Sequence, residues 1–314
     1  MKYTFLVPAY KGRYLNEMLL SIQRQTYTKF KVIISDDFSP EDLHSICESY
    51  LTDSRFSYRC NKENMGSKSL VSHWNLLVNM CDTEFLILAS DDDLYEPQFL
   101  EEIDKLTQKY HDVELFRGRV KKIDEYGEVY AVEEPSDEYE FQLKAMYSHF
   151  LPTKIHCIGN FVFKTVALQQ FGGFVEFPMA WFSDDATALA SMEKGICNTN
   201  NVCFSFRISP LSISYDRNVT HQVAKSKIEA TRFFYNWSLL MSKDIMKPNS
   251  KFTHVLYKEM TEGIYARVSW QLHYYYKFLK RKEKLKLLSW MRHNNFEDKG
   301  TIHIVKTYIK AIIN

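Results

Sequence analysis

Residues 84–93 read EFLILASDDD and combine the two features that decide how this chain folds. The five apolar residues from Phe85 to Ala89 have the length and composition of a strand that is buried on both faces. Three aspartates, Asp91 to Asp93, follow after a single serine. Because ligands bind beyond the carboxyl ends of the strands in an open α/β sheet, the stretch predicts a buried strand that ends at a ligand site.

The residues on both sides of this stretch, from residue 1 to about residue 110, alternate between strand and helix patterns. Apolar runs predict strands at 3–7, 30–34 and 56–58, and helical spacing predicts helices at 15–25, 41–51, 68–80 and 97–109. The helix at 41–51 has a well-marked start, with Ser39 as its N-cap and Pro40 at its first position. Short buried strands that alternate with amphipathic helices predict an α/β fold with a doubly wound, mostly parallel, Rossmann-like sheet.

The sequence changes character beyond residue 110. Residues 113–132 predict strands on either side of a turn at 124–128, which has the sequence DEYGE. The acidic residues 133–140, EEPSDEYE, are then expected to form a mobile loop.

The carboxyl-terminal part of the chain is expected to be helical. One helix is predicted to end at Gly172-Gly173, and another to begin at residues 181–185 and close at Gly195. From about Val223 the chain is helical in pattern and basic. Residues 251–314 hold 13 Lys and Arg residues against five Asp and Glu residues, a net charge of +8.

The composition narrows the class of protein. The 314 residues carry a formal net charge of +1, so the overall charge does not favour a nucleic-acid partner. The six cysteines are scattered without a CxxC spacing, which fits a reducing compartment better than a disulfide framework. No apolar run approaches the roughly 18 residues that a membrane span needs. We therefore expect a cytoplasmic protein.

The aspartates Asp91, Asp92 and Asp93 are the sharpest chemical signal. Carboxylate oxygens are hard ligands that suit Mg²⁺ or Mn²⁺, which proteins bind through a few carboxylates together with substrate phosphates. Three adjacent acids also repel one another unless a cation or hydrogen bonds offset their charge. The alternative is a solvated turn, because aspartate favours turns and helix starts.

Two further pairs of residues are weaker chemical signals. Asp36 and Asp37 come directly after the strand at 30–34, where a carboxylate can accept hydrogen bonds from a base or a ribose, or else favour the start of the next helix. Gly66 permits a close backbone approach, and Lys68 is a residue type that can bind a phosphate. The alternative for this pair is a loop glycine and an exposed lysine.

The stretch Trp181-Phe182-Ser183-Asp184-Asp185 is the fourth signal. A carboxylate at a helix start can act as a general base, and the two aromatic side chains before it can stack on a sugar ring. The alternative is ordinary helix capping by Ser183 with acids in the first turn.

Taken together, these stretches resemble family 2 of the nucleotide-sugar glycosyltransferases, which have the GT-A fold. The resemblance is carried by VPAY (7–10), SDDFSPED (35–42), NMGS (64–67), HWN (73–75), SDDDLYEP (90–97), FGGF (171–174) and WFSDD (181–185). It covers residues 1 to about 215. The remaining residues resemble nothing known to us and are interpreted from their composition.

The resemblance assigns roles to individual residues. It implies that the donor nucleotide and sugar are bound by Pro8, Ala9, Tyr10, Asp36 or Asp37, Lys68, Asp91 and Asp92. It implies that Asp91 and Asp93 hold Mn²⁺ or Mg²⁺ against the donor diphosphate. The catalytic base falls on Asp185, with Asp184 as the next candidate, and Trp181 and Phe182 are expected to contact the acceptor.

The chain departs from the family pattern at two places. Asp184 stands where the family has glutamate. In the returning loop the family often has a histidine that binds metal or diphosphate, and Ser209 occupies that position here. His221 is the predicted replacement as a metal ligand, and Arg217 is the alternative.

The implied activity is an inverting, metal-dependent transfer of sugar from a nucleoside-diphosphate sugar to a hydroxyl of a glycan or lipid-linked glycan in cell-surface polysaccharide synthesis. We expect the donor to be a UDP-sugar. Two other classes stay open: a nucleotidyltransferase that makes nucleotide sugars, and a non-catalytic carbohydrate-binding protein. The first usually has a glycine-rich basic loop after its first strand, where this chain has the single glycine Gly12.

The expected organisation has three parts. Residues 1–110 form the nucleotide-sugar-binding half and residues 111–220 the acceptor-binding and catalytic half of one GT-A domain, followed by a basic, aromatic-rich helical extension at 221–314.

Lysines alternate with aromatic residues in this extension, which favours peripheral contact with the anionic inner face of a membrane. The alternatives are packing on the sheet or on a second copy in a homodimer. The aromatic residues concerned are Trp270, Tyr274, Tyr275, Tyr276, Phe278 and Trp290.

Overall fold

The computed structural model describes residues 1–151, 153–212, 220–245, 255, 258–259, 261–263, 266 and 279–293. The chain divides into two compact units. The sheet unit comprises Met1–Ala145, Thr153–Glu176 and Ser183–Ser209, and the helical unit comprises Met146–Pro152, Phe177–Phe182 and Pro210–Asn314.

The sheet unit contains the four strands predicted up to residue 89, the two strands predicted on either side of the turn at 124–128, and four strands that were not predicted. In chain order, the strands are β1 (Tyr3–Ala9), β2 (Phe30–Asp36), β3 (Phe56–Cys60), β4 (Phe85–Leu88), β5 (Leu94–Tyr95), β6 (Leu115–Ile123), β7 (Val129–Val132), β8 (Tyr139–Glu140), β9 (Phe161–Lys164) and β10 (Ile196–Arg207). The helices whose full bounds fall within the described residues are α1 (Leu15–Gln23), α2 (Leu43–Cys47), α3 (Leu70–Met80), α4 (Phe99–Lys109), α5 (Gln142–His149), α6 (Thr165–Phe171), α7 (Ser183–Ala190), α8 (His221–Ile245) and α9 (Arg281–His293).

The ten strands form one sheet in the part of the chain that the structure describes. The strand order is β3-β2-β1-β4-β9-β6-β10-β5, with β7 paired to β6 and β8 to β10. The first four strands of this order are parallel, and β6 and β10 run in the same direction as they do. Six of the ten strands therefore share one direction, which confirms the predicted α/β fold with a mostly parallel sheet.

Burial explains why the central strands form. Every residue of β4 is buried, and β1 is buried except at Pro8. The helix α1 packs its apolar stripe, which consists of Leu15, Met18, Leu19 and Ile22, into the same core. These strands carry the predicted site residues at their carboxyl ends.

The helix predicted at 41–51 begins later than expected and is shorter. Its N-cap is Asp42, whose carboxylate accepts a hydrogen bond from the Ser45 N–H at 3.1 Å. The predicted cap, Ser39, instead accepts the N–H of Glu41 at 3.0 Å, which makes a serine turn before the helix. The predicted start was therefore wrong by about three residues.

The prediction of a mobile acidic loop at 133–140 was also wrong. Glu133 is buried and its carboxylate lies 2.5 Å from the Arg117 guanidinium, which is buried as well. Tyr139–Glu140 forms β8 against β10, and Glu140 is buried. Glu133 and Glu140 therefore lie inside the sheet unit, whereas Glu134, Asp137 and Glu138 between them are exposed. The prediction was thus wrong at the two ends of the loop.

Glycines lie at one predicted turn and at one predicted helix end. The hairpin between β6 and β7 turns at Gly127, as predicted, and α6 ends at Gly172 with φ +100°. Gly172 adopts the left-handed conformation that favours glycine at a helix end. The predicted end of α7 at Gly195 was wrong, because this helix ends at Ala190 and residues 191–194 form a turn before Gly195.

The helical unit is built on α8 and α9. Within it, Phe234 of α8 stacks on Phe182 with ring centroids 4.4 Å apart. Among the described residues, no helix is both long and apolar enough to cross a membrane. Five aromatic residues predicted to contact a membrane, Trp270, Tyr274, Tyr275, Tyr276 and Phe278, lie outside the described residues.

Candidate functional site

The carboxyl ends of β1, β2 and β4 bring most of the predicted donor residues together. We call residues 8–10, 36–37, 64–67 and 91–93 the acidic edge. Its segments are joined by hydrogen bonds: the Asp37 N–H donates to the Ala9 carbonyl at 2.9 Å, and the Ser39 hydroxyl donates to the Tyr10 carbonyl at 2.7 Å. Parallel strands end at the same edge of a sheet, which explains why segments distant in sequence meet here.

Asp37 fixes the loop that follows β3. Its carboxylate accepts hydrogen bonds from the N–H groups of Met65 and Gly66, at 2.9 and 2.7 Å, and from the Asn61 side-chain amide at 2.8 Å. A Cβ on residue 66 would lie 2.8 Å from the Asp37 carboxylate, so glycine is required for this close approach. The Asp37 carboxylate therefore organises the predicted phosphate-side loop.

Asp36 closes the turn after β2. One carboxylate oxygen accepts the Ser39 N–H at 2.8 Å, and the other accepts the Tyr58 hydroxyl at 2.6 Å. Burial and this carboxylate together raise the pKa of the Tyr58 hydroxyl. Both acids that follow β2 thus form hydrogen bonds within the protein.

Asp91 binds the loop that follows β1. Its Oδ2 accepts hydrogen bonds from the N–H groups of Tyr10 and Lys11, at 3.1 and 2.9 Å. Burial raises the pKa of the Asp91 carboxyl, although these two hydrogen bonds oppose the shift. Asp91 therefore connects residues 91–93, which we call the acidic segment, directly to residues 8–10.

Asp93 is the most deeply buried of the three aspartates, with only 1% of its surface exposed. Its Oδ1 accepts the Arg207 N–H at 2.9 Å, while its buried Oδ2 has no hydrogen-bond partner among the described residues. Burial, followed by the negative charge of Asp92, raises the pKa of the Asp93 carboxyl well above its usual range. A buried carboxylate oxygen without a donor, beside two further carboxylates, fits a divalent cation.

The other predicted donor residues differ in accessibility. Tyr10 is 38% exposed, Pro8 is half-buried and Ala9 is buried. Lys68 is exposed and forms an ion pair with Glu63 at 2.7 Å, which contributes little because both side chains are solvated. Lys68 can therefore leave Glu63 for a phosphate at small cost.

The two candidate base residues occupy the first turn of α7 in the sheet unit. Asp185 is buried, whereas Asp184 is partly exposed. A ring nitrogen of His156 lies within 4.8 Å of an Asp185 carboxylate oxygen. His156 was not predicted, because no local pattern marks it and it is brought to Asp185 only by the fold.

The candidate acceptor residues belong to the helical unit. Trp181 is partly exposed, and the ammonium group of Lys227 lies 4.3 Å from the centre of its ring. Phe182 is buried against Phe234. The segment that carries them, residues 177–182, has positive φ values at Met179, Ala180 and Phe182, of 59°, 55° and 67°.

The predicted substitutes for the family histidine are not described. Arg217 lies outside the described residues, as does the side chain of His221. Ser209, which occupies the histidine position, is buried. The structure therefore does not test His221 as a metal ligand.

Comparison with known proteins identifies a sequence family. Residues 4–171 match the sequence model of glycosyl transferase family 2. The chain is 25% identical over 121 residues to the glycosyltransferase GlyG of Streptococcus pneumoniae serotype 4, a match that spans 38% of this chain and 39% of that protein.

Two solved structures share the fold over nearly the whole chain. S. aureus TarS 1–349 in complex with UDP-GlcNAc has a TM-score of 0.63 at 15% identity, and the alignment covers 99% of this chain and 90% of TarS 1–349. The mannosyltransferase PcManGT from Pyrobaculum calidifontis, in complex with GDP-Man and Mn²⁺, has a TM-score of 0.57 at 16% identity, with 99% and 86% covered. These similarities confirm the GT-A fold with a helical carboxyl-terminal region. The family match spans more than half of the residues, and the chain belongs to glycosyl transferase family 2.

Proposed function

We propose that the protein is an inverting, metal-dependent glycosyltransferase that moves one sugar from a nucleoside-diphosphate sugar to a hydroxyl of a glycan or lipid-linked glycan. The observation that carries this proposal is the buried Asp93 Oδ2, which has no donor among the described residues and lies next to two more aspartates. The family match independently supports glycosyl transfer.

The acidic edge binds the donor in this proposal. Pro8, Ala9 and Tyr10 line the nucleotide, and the loop held by Asp37 brings Lys68 towards the diphosphate. Asp91 and Asp93 would hold Mn²⁺ or Mg²⁺, which stabilises negative charge on a leaving diphosphate when bound. Asp36 has a supporting role in this proposal, since both of its carboxylate oxygens already accept hydrogen bonds.

Asp185 is the proposed general base. It would accept the proton of the acceptor hydroxyl as that oxygen attacks the anomeric carbon from the face opposite the diphosphate. A single displacement of this kind inverts the anomeric configuration and passes through an oxocarbenium-like state. Trp181 offers a partly exposed ring for an acceptor sugar, while Phe182 supports it from the buried side.

The donor is proposed to be a UDP-sugar. TarS was solved with UDP-GlcNAc and PcManGT with GDP-Man, so the fold accommodates both classes of nucleotide. Synthesis of a cell-surface polysaccharide is the proposed context. We also retain the predicted division into a donor half at 1–110, an acceptor half at 111–220 and an extension at 221–314.

A donor panel tests the proposal. The full chain is incubated with UDP-GlcNAc, other UDP-sugars and GDP-Man in Mn²⁺, and release of nucleoside diphosphate is measured with and without excess chelator. We expect release from one donor that stops with chelator. Release of pyrophosphate from a nucleoside triphosphate and a sugar phosphate would instead identify a nucleotidyltransferase, and sugar binding without any release would identify a binding protein.

The charge on α9 supports a second proposal, peripheral binding to an anionic membrane surface. This helix exposes Arg281, Lys282, Leu285 and Lys286 to solvent, while Leu287 is buried. Each Lys or Arg near an anionic surface adds about 1 kcal/mol of attraction. A lipid-linked acceptor would then be presented where the enzyme binds.

Vesicle co-sedimentation tests this second proposal. We expect the full chain to bind vesicles with anionic lipid at low salt and to lose this binding in the double variant Lys282→Glu/Lys286→Glu. A matched control, Lys29→Glu/Lys62→Glu, changes the same charge at two exposed lysines of the sheet unit. Equal loss in both variants, or no binding by the wild type, would contradict a specific role for α9, and a concentration-dependent dimer mass would favour the homodimer.

A further inference from the structure

Arg207 is the last residue of β10 and has only 1% of its surface exposed. We propose that Arg207 is a positioning residue that holds the segment Asp91–Asp93 ready for a divalent cation. The proposal rests on the proposed function, since it concerns the same acidic edge. It adds a residue whose role was not assigned from the sequence.

Arg207 contacts the acidic segment through both its backbone and its side chain. Its N–H donates to Asp93 Oδ1 at 2.9 Å, and its Nε donates to the Asp92 carbonyl at 2.8 Å. One residue therefore fixes a carboxylate and the adjoining peptide at the same time. This leaves the second oxygen of Asp93 as the one without a donor among the described residues.

The rest of the guanidinium is anchored elsewhere in the sheet unit. Nη2 donates to the Glu17 carboxylate at 2.7 Å, Nη1 donates to the Glu125 carbonyl at 3.3 Å, and the group lies 4.3 Å from the centre of the Tyr14 ring. Glu17 and Tyr14 belong to α1 and its N-cap, and Glu125 lies in the turn between β6 and β7. Arg207 thus ties the acidic segment to two separate elements.

This arrangement needs arginine rather than a simple positive charge. The planar guanidinium directs its N–H groups along fixed, different lines, whereas the lysine ammonium is a compact point charge on a flexible stem. Because the guanidinium is buried and its three nitrogens are all engaged, Arg207 acts through Asp92 and Asp93 rather than by touching a ligand.

The physical need for such an anchor comes from the charge of the segment. Adjacent carboxylates repel one another, and a segment held only by its own backbone would move its acids apart. Groups that orient metal ligands typically change metal affinity or activity by about 10- to 100-fold when they are removed. The effect of Arg207 should therefore appear in cation binding itself, before any donor or acceptor is added.

Mn²⁺ titration of the full chain, followed by electron paramagnetic resonance of the free ion and without nucleotide, tests the proposal. We expect Arg207→Met to weaken Mn²⁺ binding about 10- to 100-fold. Arg207→Lys should weaken it about tenfold, because lysine lacks the planar set of N–H donors of the guanidinium. Thermal unfolding of each variant is measured beside the titration. If Arg207→Met does not fold, the Mn²⁺ affinity of Arg207→Lys tests the proposal instead.

Arg13→Met is the matched control. Arg13 also lies against the Tyr14 ring, at 5.1 Å, and pairs with Glu125, at 3.2 Å, rather than with a residue of Asp91–Asp93. Wild-type Mn²⁺ affinity is expected in this variant. Wild-type affinity in a folded Arg207→Met or Arg207→Lys would overturn the positioning role alone, whereas no Mn²⁺ binding by the wild-type chain would overturn the metal site and this proposal with it.

Discussion

The acidic edge and the segment 177–182 are held in place by different forces. At the acidic edge, carboxylates accept directional hydrogen bonds from backbone N–H groups, as Asp37 does from Met65 and Gly66. In the segment 177–182, aromatic packing accompanies an unfavourable backbone, with Phe182 stacked on Phe234 and positive φ at Ala180. The acidic edge belongs to the sheet unit and the segment 177–182 to the helical unit.

The two kinds of contact suit different kinds of ligand binding. Hydrogen bonds to charged groups contribute about 1.5–3 kcal/mol each and lose strength when their geometry changes, so the acidic edge suits a ligand part that does not vary. Dispersion contacts between rings tolerate small shifts, and left-handed backbone at non-glycine residues costs about 1–2 kcal/mol each. The segment 177–182 therefore suits an acceptor contact that adjusts on binding.

The largest stability effect is expected from removing the ring that supports the segment 177–182. Phe234 is fully buried and contacts Phe182, Phe177 and Phe150. Phe234→Ala should lower the free energy of unfolding by about 3–5 kcal/mol. Chemical denaturation measures this change.

The control lies at the next position of the same helix. Phe233 is 51% exposed, and Phe233→Ala should change the free energy of unfolding by no more than about 0.5 kcal/mol. Equal effects of the two variants would show that stacking does not hold the segment.

A pH-dependent effect is expected at the acidic edge. His73 is buried, with Nε2 3.0 Å from the Ser35 hydroxyl and Nδ1 3.7 Å from the Asp37 carboxylate. Burial lowers the pKa of His73, although Asp37 opposes the shift. The unfolded chain therefore binds more protons than the folded one between the lowered folded pKa and the unfolded value of about 6.5.

The stability that neutral His73 contributes is complete above pH 6.5 and falls as the pH decreases through that value. We expect the free energy of unfolding to decrease less steeply from pH 7 to pH 5.5 in His73→Gln than in the wild type. The exposed His111 provides the control, and His111→Gln should keep the wild-type slope. A wild-type slope in His73→Gln would show that the buried imidazole titrates alike in both states.

The smallest effect concerns the backbone of the segment 177–182. Glycine adopts φ of +55° without the clash that alanine suffers, so Ala180→Gly should relieve strain. Since glycine also adds entropy to the unfolded chain, the net gain in the free energy of unfolding is at most about 1 kcal/mol. Ala230→Gly, in the interior of α8, should instead destabilise by about 1 kcal/mol. Loss of stability in both variants would argue against strain at Ala180.

Local patterns predicted the elements whose stability is local. The apolar runs located β1 and β4 because a strand buried on both faces needs a continuous apolar sequence. Ser39 misled the prediction of α2, since a serine turn and a helix cap use the same residue types.

Long-range contacts could not be predicted in the same way. Glu133 pairs with Arg117, and nothing in the acidic composition of 133–140 identifies that partner. Arg207 meets Asp92 and Asp93 across more than 110 positions of the chain. An arginine directly after the mostly apolar stretch VCFSF (202–206) was the available signal, yet its partners depend on the strand order of the sheet.

The central claim is that the acidic edge holds donor and cation while Asp185 acts on the acceptor. The most direct test compares Asp93→Asn with Asp185→Asn, both isosteric changes at buried carboxylates. Donor binding in Mn²⁺ is measured by calorimetry and transfer by release of nucleoside diphosphate in the presence of acceptor. We predict that Asp185→Asn binds donor as the wild type does but transfers about 10²- to 10⁴-fold more slowly, whereas Asp93→Asn loses Mn²⁺-dependent donor binding. Wild-type transfer in Asp185→Asn, or unchanged Mn²⁺-dependent donor binding in Asp93→Asn, would contradict the account.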